Sequence, residues 1–117
     1  MKAMLGVGAA LMLLLGLSWL CFPQGALRSW GLQPDSAVVF VARRYGALCL
    51  GFAVTLWLGR ASERSAILAG FSVANLAMAV VSTAGILSRT VEPAAWSAAA
   101  LEALLAAAAG YFWLRGR

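Results

Sequence analysis

The sequence predicts an all-α membrane protein: a four-transmembrane-helix bundle with both termini cytoplasmic. Three observations predict it. The chain has 117 residues, of which 63% are hydrophobic and only 11% charged. A soluble domain of that length needs more polar surface to stay dispersed. Four apolar segments occupy residues 3–22, 37–58, 66–87 and 94–114, each close to the roughly 20 residues that a helix needs to cross a bilayer. The breaks between them are short and hold most of the charge: "PQGALRSWGLQPDS", "GRASER" and "SRTVEP". No stretch is left over for a soluble domain, so residues 1–117 read as a single transmembrane domain.

The first segment starts behind Lys2, as a signal peptide would. Its apolar run is longer than a signal core, and no A-x-A site follows it. In "SWLC" the bulky Leu20 stands where a lipoprotein site at Cys21 needs a small residue. A retained helix is expected. Pro23 ends that helix, and Gly25 and Gly31 bracket "ALRSW". That stretch reads either as one short interfacial turn, with Leu27 and Trp30 inward and Arg28 toward headgroups, or as an irregular loop. "PDS" is a helix start, since Asp35 or Ser36 can accept from the free amides of the second segment. Pro93 suits the first turn of the fourth segment, where a missing N–H is harmless. The second and fourth segments end alike, in "GFAVTLWLGR" and "GYFWLRGR". An aromatic anchor followed by arginine is what two helix ends on the same membrane side both require.

Orientation follows from the cations. Lys2, Arg60, Arg64, Arg115 and Arg117 fall on one side, and Arg28 and Arg89 on the other. The richer side is expected to face the cytoplasm, in a multi-pass protein of the bacterial inner membrane. Trp57 and Trp113 fall at cytoplasmic ends, with Trp19, Trp30 and Trp96 at the opposite interface, the two layers that indole rings favour. The net charge of +5 is thereby an orientation signal. No basic stripe interleaved with aromatics points to nucleic acid.

Three ionisable residues lie inside the apolar segments: Arg43, Arg44 and Glu102. Each costs about 3 kcal/mol in a spanning helix unless it meets protein or water. Arg43 lies about 9 Å and Glu102 about 12 Å from the same end of their helices. A pair across the second and fourth helices is therefore within reach. The face of Glu102 holds Ala95, Ala98, Ala99, Ala106 and Ala109, and the opposite face holds Trp96, Leu101, Leu104, Leu105, Tyr111 and Phe112. Small residues mark helix–helix contact and bulky ones suit lipid, so Glu102 is expected to point inward. The third segment has a polar stripe of Ser72, Asn75, Ala79 and Ser82, expected to bond across helices. Arg43 shares its face with Gly46, Ala47 and Leu50 and is expected to face inward, with Arg44 snorkelling to headgroups. The reverse assignment is open, because Arg44 shares its face with Gly51 and Thr55. A helix starting only at Tyr45 would leave about 14 apolar residues, short of a span.

No histidine is present, so imidazole-held haem or metal is not expected. Cys21 and Cys49 form no C-x-x-C pair, and Met1, Met4, Met12 and Met78 read as packing. No phosphate loop, hydrolase elbow or metalloprotease motif occurs. Catalysis would rest on Glu102, Arg43 and Tyr45, a poor set. No enzymatic activity, cofactor or metal is expected.

Several stretches carry a family resemblance: "FP" at Phe22–Pro23, the loop "WGLQPDS", and "ARRYGALCLGFAV" opening the second helix. In these the first half of the chain resembles small four-helix bacterial membrane proteins of the DoxX-like type. "ARRYG" also resembles the second helix of the small scaffold protein of fungal sterol synthesis. The resemblance implies the fold. The chain does not resemble small multidrug-resistance transporters, whose first helix carries a glutamate, or fluoride channels.

Two functions remain as expectations. The first is a non-enzymatic accessory or scaffold subunit of a membrane assembly, built on the small residues Gly46, Ala47, Gly51, Gly70 and Ala74. Its partners are the bilayer and other membrane subunits or further copies of the chain. The second is a binding or transport protein for an amphiphilic lipid-like or small anionic ligand. Arg43, Asn75, Ser82 and Glu102 would line its outward-facing cavity, with Arg44 and Tyr45 beside them.

Overall fold

The computed structural model describes residues 2–116. Met1 and Arg117, one of the cations used for orientation, lie outside them. The described residues form five α-helices: α1 (Lys2–Cys21), α2 (Pro23–Ser29), α3 (Ser36–Leu58), α4 (Glu63–Leu87) and α5 (Trp96–Arg115). A single 3-10 turn, Pro93–Ala95, leads into α5. The four long helices match the four expected segments, and each is long and apolar enough to cross a membrane.

Local chemistry sets the starts. The Asp35 side chain accepts from the Val38 amide at 2.9 Å and fixes the first turn of α3. α4 begins three residues earlier than expected, because Ser62 caps it through the Ser65 amide and Glu63 follows in the first turn, where a carboxylate meets the positive end of the helix dipole. The loop after α1 resolves into α2, the interfacial turn of the two open readings. Pro23 and Leu27 are buried and Arg28 is exposed. Trp30, expected inward, is 66% exposed, with its edge against the buried Trp19 at 5.1 Å. Gly31 then takes a positive φ of 75°, which a residue without Cβ adopts freely.

The helices do not close into a bundle. Among the long helices, α1 packs only on α3, α3 on α1 and α4, and α4 on α3 and α5. The molecule measures 40 × 32 × 13 Å. Four helices side by side at about 9 Å spacing span about 32 Å, whereas a square bundle is only about 14 Å across in both directions. The expected bundle is thus an open row of antiparallel neighbours.

Small residues decide this. α3 carries two contact faces. Gly46 lies against Gly16 of α1, and a Cβ added at either would come within 2.9 Å of the other's carbonyl oxygen. Gly51 lies against Gly70 of α4 in the same reciprocal way, with a Cβ on Gly51 only 2.8 Å from the Gly70 oxygen. α4 meets α5 through Ala79, Ala99, Ala106 and Ala109, all buried. Ser72 donates to the Ala106 carbonyl at 2.8 Å, and Trp113 Nε1 donates to Ser65 Oγ at 2.8 Å. The outer edges of the row are bulky: Val7, Leu11 and Leu14 on α1, and Leu101, Leu104 and Phe112 on α5, all exposed. Bulky faces hold backbones apart and suit acyl chains, so the two ends of the row have no surface on which to close.

Candidate functional site

Glu102 is the acidic residue inside α5, and it is buried at 7% exposure. The alanine face that carries it packs on α4 as expected, with Ala99, Ala106 and Ala109 buried, although Ala98 is exposed. Its partner is Arg44. The Arg44 guanidinium forms an ion pair with Glu102, donating from Nη2 to Oε1. Its Nη1 donates to Ser82 Oγ at 2.5 Å, and Ser82 Oγ donates to Glu102 Oε2 at 3.1 Å. The three side chains close a triangle that joins α3, α4 and α5, although the α3 and α5 backbones never touch. Met78 Sδ lies 3.7 Å from Nη2, and the Phe40 ring centroid is 6.0 Å from the guanidinium carbon.

The expected pair of Arg43 with Glu102 is therefore corrected to Arg44 with Glu102, and the reverse assignment holds. The physical reason is the identity of each seam. Gly46, on the face of Arg43, abuts α1, whereas Gly51, on the face of Arg44, abuts α4. Only the second face looks toward α5. Arg43 is exposed, and among the described residues its side chain has no hydrogen bond or ion pair.

The remaining candidates separate. Asn75 is buried but donates to the Phe71 carbonyl of its own helix at 2.9 Å, so it does not bond across helices as expected. Ser72 and Ser82 do. Tyr45 is 44% exposed and stacks edge-on against Trp19 at 5.5 Å, away from the triangle. Arg43 lines a cleft of about 600 Å³ between α1, α3 and α4, whose lining includes none of Asn75, Ser82 or Glu102. Val80 and Ala84 of α4 border that cleft. At about 100° per residue, Ser82 lies about 160° round the helix from both. The cleft and the ion pair thus occupy opposite faces of the row, and the single cavity expected from Arg43, Asn75, Ser82 and Glu102 is not assembled.

On the face of the cleft a second groove of about 540 Å³ runs between α4 and α5, past Ala79, Thr83, Ala84, Ala99, Ala100 and Ala103, with Val80, Leu87 and Trp96 also lining it. Sequence reasoning missed both hollows. The signal for the cleft was faint: Gln24 of α2, Ser36 at the start of α3, and Ser88 and Thr90 in the connection after α4 are far apart in sequence and meet only because they share one end of the row. Among the described residues no cluster of histidine, cysteine or carboxylate could hold a metal. Comparison with family models, curated proteins and solved structures found no match.

Proposed function

We propose that this chain is a non-enzymatic accessory or scaffold subunit of a membrane assembly, with both termini cytoplasmic, in the bacterial inner membrane. One observation carries the reading: the four long helices form a single open layer. α1 and α5 each have one long-helix neighbour, and the α4–α5 groove presents a strip of alanines (Ala79, Ala84, Ala99, Ala100 and Ala103) beside the bulkier Val80, Leu87 and Trp96, which lets another helix approach closely along the strip. Association inside a bilayer relies on such close packing, because lipid removes the hydrophobic drive that helices have in water. The occupant is a helix of a partner subunit or of a second copy. Kinship with the DoxX-like type, which the stretches quoted above resemble, is part of the proposal.

The triangle of Arg44, Ser82 and Glu102 serves as a strut in this reading. Its charges are mutually neutralised, and it bridges three helices of the layer. That arrangement favours stiffness over ligand binding at the pair.

Blue-native electrophoresis of the full chain, after gentle solubilisation from its own membrane, tests the proposal. The expected band is larger than one chain in its detergent belt. A strictly monomeric, partner-free species overturns the reading.

A further inference from the structure

We propose that the cleft beside Arg43 binds the phosphate headgroup of one anionic membrane lipid, with the acyl chains lying along its apolar wall. This rests on the chain's residence in a bilayer and not on its assembly with other subunits.

Arg44 is neutralised by Glu102, but Arg43 has no partner among the described residues. An unpaired guanidinium in a spanning helix is costly unless water or an anion meets it. None of the residues lining the Arg43 cleft is acidic. The cleft's own lining supplies no counter-charge, so an anion that neutralises Arg43 there comes from outside the chain.

α3 has 23 residues and is about 34 Å long, slightly more than the roughly 30 Å hydrocarbon core. Its first turn therefore lies at the interface. Arg43 sits about 10 Å below Ser36 along the axis, and its stem is long enough to carry the guanidinium back toward headgroup level. The cleft mouth at that level presents Gln24, Ser36, Ser88 and Thr90. The Gln24 and Ser36 side chains have no other hydrogen-bond partner among the described residues. A guanidinium fork with neutral donors around it matches phosphate oxygens.

Shape completes it. The volume of about 600 Å³ falls within the range of small-molecule sites, about 300–1,000 Å³. Leu20, Val80 and Val81 form an apolar wall below the polar mouth. That gradient suits a headgroup above and a chain below. With no carboxylate to hold a choline or ethanolamine, a headgroup of net negative charge is preferred over a zwitterion.

The test reconstitutes the full chain in nanodiscs with equal phosphatidylglycerol and phosphatidylcholine, then counts retained lipids by native mass spectrometry after gentle release. The expected result is one phosphatidylglycerol per chain. Arg43→Gln should lower its retention about tenfold, the loss of one charge-assisted contact. Val81→Phe, which narrows the cleft and leaves Arg43 in place, should lower it as well. Arg28→Gln, at an exposed cation on the same end, should leave it unchanged, with thermal unfolding confirming that each variant folds. Equal retention by Arg43→Gln and the native chain overturns the proposal. An equal loss in Arg28→Gln overturns it too, in favour of diffuse attraction. Displacement of the lipid by millimolar inorganic phosphate overturns the assignment to a lipid and makes the cleft a free-anion site.

Discussion

Arg44 and Glu102 illustrate how much a single rotation about a helix axis decides. The two arginines are neighbours about 100° apart, yet one reaches across α4 to a buried carboxylate and the other faces an open cleft. Removing either member of the pair leaves an unpaired charge in low dielectric. Arg44→Leu and Glu102→Leu should each cost about 3–5 kcal/mol, and the double substitution should cost less than either alone. Arg43→Leu in lipid-free detergent should cost far less than Arg44→Leu and show no coupling to Glu102→Leu, because Arg43 has no protein partner among the described residues. Thermal unfolding of these variants in mild detergent measures this, and strictly additive losses for Arg44 and Glu102 would refute the bridge. The sequence made half of this legible. The alanines around Glu102 fixed its inward direction, because side-chain size along one helix is a local property. The partner was not legible, because both arginines share a face with a glycine. Nothing local says that Gly46 meets α1 and Gly51 meets α4.

At the scale of elements, the spans were legible to within a few residues, since length, apolarity and punctuation are all written along the chain. Asp35 and Pro93 announced their helix starts. Ser62 with Glu63 is an equally good cap, hidden because the apolar run begins later, at Ala66. What positions the elements against each other is a pair of glycine crossings on α3. Valine at Gly46 would drive a Cβ to 2.8 Å from the Gly16 carbonyl, and valine at Gly51 to 2.8 Å from the Gly70 carbonyl. At Gly46 the nearest obstacle is backbone, and at Gly51 the Ala74 Cβ lies nearer still than the Gly70 carbonyl; neither can swing aside. Gly46→Val and Gly51→Val should each destabilise the fold by about 1–3 kcal/mol. Gly25→Ala, inside α2 with nothing within 4 Å of the added Cβ, should be neutral or stabilising by up to about 1 kcal/mol. Melting temperatures of the three variants separate crossing glycines from an incidental one. Equal effects at all three positions would contradict the crossings.

The molecule as a whole is a layer with two different faces. One carries the Arg44–Ser82–Glu102 strut, and the other carries the Arg43 cleft and the α4–α5 groove. A row rather than a bundle was not legible, because closure depends on which faces lack a partner. The bulky edges of α1 and α5 read equally well as the lipid side of a closed bundle. The central claim is that this open layer is completed by another membrane helix. A photo-cross-linking side chain placed singly along α5 in intact membranes tests that most directly. At Ala100 and Ala103, in the α4–α5 groove, the account predicts protein adducts. At Leu101 and Phe112, on the exposed bulky face, it predicts lipid contact and no protein adduct. Adducts of equal yield on both faces, or none at Ala100 and Ala103, would contradict it.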